Sequence, residues 1–170
     1  MAKKQFKTES KKLLDMMIHS IYTHKEIFLR EIISNASDAM DKLAYRALTD
    51  DKVGINRDEF AITVTRDQNA GVLTVSDNGI GMNHDDLVNH LGTIARSGSA
   101  EFFKSLSGDK KKDMALIGQF GVGFYAAFMV ASSVTVISKK YGEDTAWKWA
   151  SSGAEGYTIE ESFRQNPGTD

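Results

Sequence analysis

Eight of the 14 glycines fall between Asp77 and Gly123: Gly79, Gly81, Gly92, Gly98, Gly108, Gly118, Gly121 and Gly123. Each glycine inside a helix costs roughly 1 kcal/mol relative to alanine, so this stretch cannot hold one long regular element. A glycine-rich segment of this length inside a compact domain is usually functional rather than connective. The chain therefore reads as two blocks of regular structure around a pliable, ligand-competent middle.

The block before it opens with helix. Residues 8–22 carry Leu13, Leu14, Met17, Ile18 and Ile21 at helical spacing, and residues 25–47 are rich in good helix formers. Alternation follows. Phe60, Ile62 and Val64 read as one strand and Val72–Val75 as the next, with Asn69-Ala70-Gly71 as the turn of a hairpin. After the glycine-rich middle, residues 124–131 read as a helix. Val134/Val136, Trp147/Trp149 and Tyr157/Ile159 then mark three strands separated by Gly142 and Gly153. Helices and strands come in blocks rather than in strict alternation. The expected class is α+β, a two-layer sandwich with helices over one face of a mostly antiparallel sheet, as a single domain over residues 1–170. The last residues, Asn166-Pro167-Gly168-Thr169-Asp170, form a turn that ought to lead into a further element, so a C-terminally truncated domain is expected.

Charge and composition narrow the partners. Twenty-one basic against 23 acidic side chains leave a net charge of −2, which gives no support to nucleic acid or an anionic membrane as main partner. Charges run through the N-terminal residues and no apolar run is long enough for a bilayer, so a cytoplasmic protein is expected. Without cysteine there is no disulfide and no thiolate metal site. His19, His24, His84 and His90 lack the spacing of a catalytic zinc site.

Three motifs carry chemistry. On the second helix Glu31, Asn35, Asp38 and Lys42 fall within about 60° of one another on a helical wheel. Leu29, Ile33, Ala36, Met40, Leu43 and Ala47 take the other side. A solvated face with an Asp38–Lys42 ion pair accounts for that stripe. Asn and Asp are poor helix formers, however, which leaves a second reading. Asn35 offers a carbonyl oxygen to a hard cation such as Mg²⁺, and Glu31 can orient or deprotonate a water.

Asp77-Asn78-Gly79-Ile80-Gly81-Met82 follows a strand and reads either as a plain turn or as a close approach to a flat ligand. In the second case an ionised Asp77 accepts a hydrogen bond from an exocyclic amine. Gly118-Gln119-Phe120-Gly121-Val122-Gly123-Phe124 opens a helical run, a ready anion site of free N–H groups. It is neither a dinucleotide-binding fingerprint nor a Walker A loop, since no strand directly precedes it and no GK[ST] follows.

The order ExxxNxxDA on a helix, DxGxG after a strand and GxxGxG before a helix resembles the Bergerat ATP-binding fold. That fold is shared by gyrase-type topoisomerases, mismatch-repair ATPases, histidine kinases and the 90-kDa heat-shock chaperones. KEIFLREIISNASDAMDKL (25–43), SDNGIGM (76–82), LGTIARSGSAEFF (91–103) and IGQFGVGFYAAFMVA (117–131) resemble the chaperone branch, its bacterial members above all.

The resemblance implies an ATPase domain of a stress-response chaperone that binds ATP or ADP with Mg²⁺. It implies Glu31 as the general base, Asn35 as the residue holding Mg²⁺ through the phosphates, and Asp77 as acceptor of the adenine amine, with Thr169 assisting through water. Gly81 and Met82 would shape the base pocket, Asp38 and Lys42 would line its mouth, and Phe124 would pack near the adenosine. Leu91 and Arg96 join the ATP-binding set, Arg96 standing where many members have lysine. The backbone around Gly121, Val122, Gly123 and Phe124 would meet the phosphates. Residues of about 92–118 look like the family's ATP lid.

The implied partners are client proteins, the middle domain that supplies an arginine to the γ-phosphate, and a second copy in a homodimer. Without that arginine, hydrolysis is expected to be slow. Two alternatives stand: a nucleotide-binding fragment without meaningful catalysis, and an ATPase domain of gyrase or mismatch-repair type.

Overall fold

A 21-residue α-helix, α1 (Ile27–Ala47), is the longest element of the computed structural model, which describes residues 2–4, 26–91, 123–153 and 156–170. The helix expected over 8–22 and the segment 92–118 lie outside the described residues. Ala36 and Leu43, seven residues apart, fall within about 20° on the wheel of α1 and are both buried. Asn35, Asp38 and Lys42 are exposed, so the polar stripe is the outward face of an amphipathic helix. Among the described residues no ion pair joins Asp38 to Lys42. Arg46 in the last turn complements the helix dipole and lies 3.6 Å from Asp50.

Six strands follow: β1 (Ile62–Asp67), β2 (Val72–Asp77), β3 (Val134–Lys139), β4 (Ala146–Ser151), β5 (Tyr157–Ser162) and β6 (Gly168–Thr169). They make one sheet in the order β1-β2-β6-β3-β4-β5. The α+β expectation holds: helices accompany a sheet whose β1–β2, β2–β6 and β3–β6 pairs are antiparallel. The β1–β2 hairpin pairs Ile62 with Asp77 through to Asp67 with Val72, longer than the apolar alternation marks. Its turn is closed by Asp67, whose Oδ1 accepts from the N–H groups of Asn69 (3.1 Å) and Ala70 (3.0 Å). A short helix, α2, covers His84–His90. Residues Gly123–Met129 form a 3₁₀-helix where the sequence predicts an ordinary helix over 124–131. Tyr125–Met129 are all buried, so this run has no polar face to mark an α-helical period.

The chain forms two compact units. One takes Met1–Ile32, Asp86–Thr135 and Trp149–Thr158. Its core is aromatic: Phe124 meets Trp149 edge-on at 5.4 Å and Trp149 stacks on Tyr157 at 5.8 Å. Lys4 bridges to Tyr157 through two backbone hydrogen bonds of 2.8 and 2.9 Å.

The other unit takes Ile33–Asp85, Val136–Lys148 and Ile159–Asp170. The loop after β2 is its best-anchored part. The Asn78 side chain donates to the Glu59 carbonyl (2.8 Å) and accepts from the Ala61 N–H (2.9 Å). Ile80 donates to the Ala39 carbonyl of α1 at 3.0 Å and accepts from the Tyr141 N–H at 2.8 Å. Both glycines are required by these approaches. A Cβ on Gly79 would lie 2.5 Å from the Ala39 carbonyl carbon, and one on Gly81, at φ +70°, would sit on the Lys139 carbonyl.

Gly142 supplies the comparison, with φ +85° and no atom within 4 Å of an added Cβ. In urea unfolding Gly142→Ala is expected to cost about 1 kcal/mol, the left-handed penalty alone. Gly81→Ala is expected to cost upward of about 3 kcal/mol, because backbone must also move. Equal costs would show that the Gly81–Lys139 approach carries no energy.

Candidate functional site

Asp77 closes β2 and lies only 7% exposed, an uncommon place for a carboxylate. Its Oδ1 accepts from the Gly79 N–H at 2.8 Å, the turn chemistry that Asp-Asn-Gly encodes. Burial pushes the Asp77 carboxyl above its ordinary range; the Gly79 N–H, the Arg164 guanidinium and the Thr169 N–H pull the other way. In its ionised form the carboxylate is an acceptor only, with lone pairs beyond those that the Gly79 N–H occupies.

Thr169 is the register partner of Asp77 across β2–β6, and Ser138 is the partner of Thr169 across β6–β3. Residues directly opposite in antiparallel strands point to the same face. Asp77, Thr169 and Ser138 therefore form one polar row across three strands. Ser138, fully buried, accepts from the Met82 N–H at 2.8 Å and meets the Thr169 hydroxyl at 2.8 Å and the Gly168 carbonyl at 3.2 Å. Met82 is thereby tied to the Ser138 end of the row, and Gly81 lies against the Lys139 backbone of β3.

Three residues of the polar helix stripe belong to the same unit. The Gly79-Ile80 backbone rests on Ala39, next to Asp38. Asn35, Asp38 and Lys42 are exposed on the same helix, and the Asn35 amide has no hydrogen bond among the described residues. An amide oxygen is the kind of ligand a hard cation takes, so Asn35 could supply one position to such an ion. Among the described residues no group of three or more His, Asp or Glu side chains is placed to hold a metal by itself.

The other unit holds Glu31, Leu91, Gly123 and Phe124. Glu31 is half-buried, and burial raises its carboxyl above the ordinary value of 4.5 against the pull of Arg30. Leu91 is buried, its N–H on the Leu87 carbonyl at 2.9 Å. Gly123 starts the 3₁₀-helix, and Phe124 packs on Trp149. Arg96, Gly121 and Val122 lie outside the described residues.

Two residues of the Asp77 neighbourhood carry no sequence motif. Ser138 is one; the only signal is its place, two residues after buried Val136, on the inward alternation of β3. Arg164 is the other. It donates to the Asp77 carbonyl at 2.9 Å and pairs with Asp170 at 3.2 Å, holding β6 beside β2. Nothing local distinguishes it from any charged loop residue.

The sequence model of the family described as histidine kinase-, DNA gyrase B-, and HSP90-like ATPase matches residues 22–160. "Chaperone protein HtpG" of Bacillus subtilis (strain 168) is 61% identical over the whole chain. The proteins of that name from Clostridium acetobutylicum and Bacillus licheniformis are 58% and 56% identical over the same span. In each case the chain spans 27% of the relative's length.

The raised Asp77 carboxyl has a signed consequence. Between the ordinary value of 3.8 and its own higher value, the folded state binds more protons than the unfolded chain. Stability contributed by this group is full below 3.8 and is lost as pH rises through the folded value. Without nucleotide, wild type is therefore expected to lose stability relative to Asp77→Asn as pH rises from about 3.5. The difference levels off once the carboxyl is ionised. Urea unfolding across that pH range checks this; a constant difference would show that burial does not load the group.

Proposed function

Because the chain belongs to the histidine kinase-, DNA gyrase B-, and HSP90-like ATPase family, we propose that it is the ATP-binding domain of a molecular chaperone and hydrolyses ATP slowly to ADP and phosphate. The observation that carries the reading is the buried Asp77 carboxylate paired in register with Thr169, at the head of a loop whose two glycines allow close backbone approach. Asp77 accepts the exocyclic amine of adenine there, and Gly81 and Met82 border the base. Leu91 and Phe124 add apolar surface. The N–H groups of Gly121, Val122, Gly123 and Phe124, with Arg96, take the phosphates, beneath a lid of about 92–118.

Asn35 contributes its amide oxygen to Mg²⁺, which when bound neutralises phosphate charge. Asp38 and Lys42 line the mouth. Glu31 orients a water toward the γ-phosphorus and takes its proton as the bond to the bridging oxygen breaks and ADP departs. A carboxylate raised by burial is a stronger base than an exposed one, which suits that role. Identity of 55–61% to proteins named as chaperones supports client proteins as partners of the longer protein, and the family resemblance implies a middle domain and a homodimer. Cytoplasmic residence fits the lack, among the described helices, of one long and apolar enough to cross a membrane.

Thermal unfolding with Mg-ATP and ADP tests the pocket. At a hundredfold excess over Kd, nucleotide is expected to stabilise wild type by about 2.7 kcal/mol, roughly 5–10 °C. Asp77→Asn is expected to shift not at all. A shift retained in that variant would place the base elsewhere.

Glu31→Ala separates catalysis from binding. Its affinity for ADP is expected to stay within about threefold of wild type while phosphate release falls at least about 100-fold. Unchanged release would make the chain a binder without catalysis.

A further inference from the structure

Asn78 is the one asparagine of seven that precedes a glycine. That pairing is chemically labile, because glycine has no side chain to shield its amide nitrogen. The Gly79 nitrogen can bond to the Asn78 side-chain carbon, Cγ, and expel the side-chain nitrogen as ammonia. Water then opens the cyclic imide. Cleavage at the side-chain carbonyl gives aspartate. Cleavage at the main-chain carbonyl gives isoaspartate, whose backbone runs one carbon longer through Cβ and Cγ. The reaction takes up one water and releases one ammonia, with no oxidant or reductant.

In the folded loop every group of that reaction is engaged. The Asn78 side-chain nitrogen, the leaving group, donates to the Glu59 carbonyl at 2.8 Å, and the amide oxygen accepts from the Ala61 N–H at 2.9 Å. The attacking nitrogen, on Gly79, donates instead to Asp77 Oδ1 at 2.8 Å. Gly79 is buried against the Ala39 carbonyl, so close that an added Cβ would find no room. The main chain therefore has no space to swing its nitrogen toward Cγ. The amide is turned to one neighbour and its attacker to another.

We propose that Asn78-Gly79 is a latent deamidation site, closed by the Glu59–Ala61 clasp while the loop is seated on α1 and open to imide formation whenever the loop lifts off. Neither product fits the seat again. A carboxylate at this position sets an acceptor against the Glu59 carbonyl, where the amide donated, and a second negative charge beside buried Asp77. The extra backbone carbon of isoaspartate has no space beside Ala39. Lifting of the loop thus exposes the chain to a one-way loss of the geometry that sets Asp77 in place. The inference holds whichever ligand Asp77 takes.

The test follows Asn78 by peptide mapping with mass spectrometry, which reads the mass gain of amide-to-acid conversion and the separate elution of isoaspartate peptides. The 170-residue protein is incubated at one pH and temperature, in native buffer and in unfolding urea. Three hydrogen bonds must break for the loop to open, each lowering the open population about fivefold. Conversion is expected to be about 100-fold slower in the folded protein. A folded rate within about threefold of the unfolded one would overturn the proposal.

Glu59→Ala probes the clasp alone. The Glu59 side chain is exposed and accepts from the Asn56 N–H at 2.6 Å, bracing the turn whose carbonyl holds Asn78. The folded variant is expected to convert about fivefold faster than folded wild type, while the two convert equally in urea. Equal rates in the folded state would overturn the part given to the clasp. Asn78→Asp, the encoded form of one product, is expected to unfold at lower urea than wild type at neutral pH. An equal midpoint would overturn the claim that conversion damages the loop.

Discussion

A strand of two residues occupies the middle of the sheet, and the Asp77 neighbourhood depends on how it is held there. β6 shares one rung with β2 and two with β3, too few ladder bonds to stay in place alone. Backbone bonds of 2.8 and 2.9 Å between Asp170 and Ile137 extend the pairing by one residue. Side chains do the rest. Arg164 ties the Asp77 carbonyl to the Asp170 carboxylate, and the Ser138 hydroxyl bonds the Thr169 side chain from below. Gly168, at φ +138°, lets the strand pass over the Asp77 carbonyl, where a Cβ would collide. Without β6, β2 and β3 would be two open edges and the row Asp77–Thr169–Ser138 would not exist.

The glycines show how local and tertiary demands differ. Asp77-Asn78-Gly79-Ile80-Gly81 reads as backbone that must come close to something, and that reading is right about closeness. The immediate neighbours are protein: Ala39 of α1 for Gly79 and Lys139 of β3 for Gly81. The Asn78 amide likewise serves the fold, bridging the Glu59 carbonyl and the Ala61 N–H. Within the motif, then, the Asp77 carboxylate bonds its own loop through the Gly79 N–H, while its neighbours fix where that carboxylate stands. One motif supports both structure and site because the loop is anchored on α1 and β3 at once.

Burial raises two carboxyl groups, and their settings differ. Asp77 is nearly enclosed, and the Gly79 N–H, the Arg164 charge and the Thr169 N–H oppose the rise that burial causes and so favour the ionised, accepting form. Glu31 is half-buried with only Arg30 opposing, closer to what a proton acceptor in turnover needs. Both occupy motif positions, and it is the environment of each, not its residue type, that suits them to the different roles proposed.

Local pattern alone determined much of this protein. Amphipathic spacing marks α1 with buried Ala36 and Leu43 and exposed Asn35, Asp38 and Lys42, because burial on one face imposes that period, and apolar alternation marks β1 through β5, although Val64 and Val72 of the hairpin are exposed. The Asp77 loop was legible for the same reason: turn residues at a strand end carry their geometry with them. The kind of helix at Gly123–Met129 was not legible, since a run buried on all sides has no period to read. Nor were Ser138 and Arg164, whose importance comes from residues about 30 and 90 positions away in sequence. A serine inside a strand and an arginine after one look ordinary until pairing of β2, β6 and β3 sets them beside Asp77. Local propensity has no access to that pairing. Only the tertiary structure decided it, because hydrogen-bond partners across strands are chosen by which chains can be brought together, not by what each chain prefers alone.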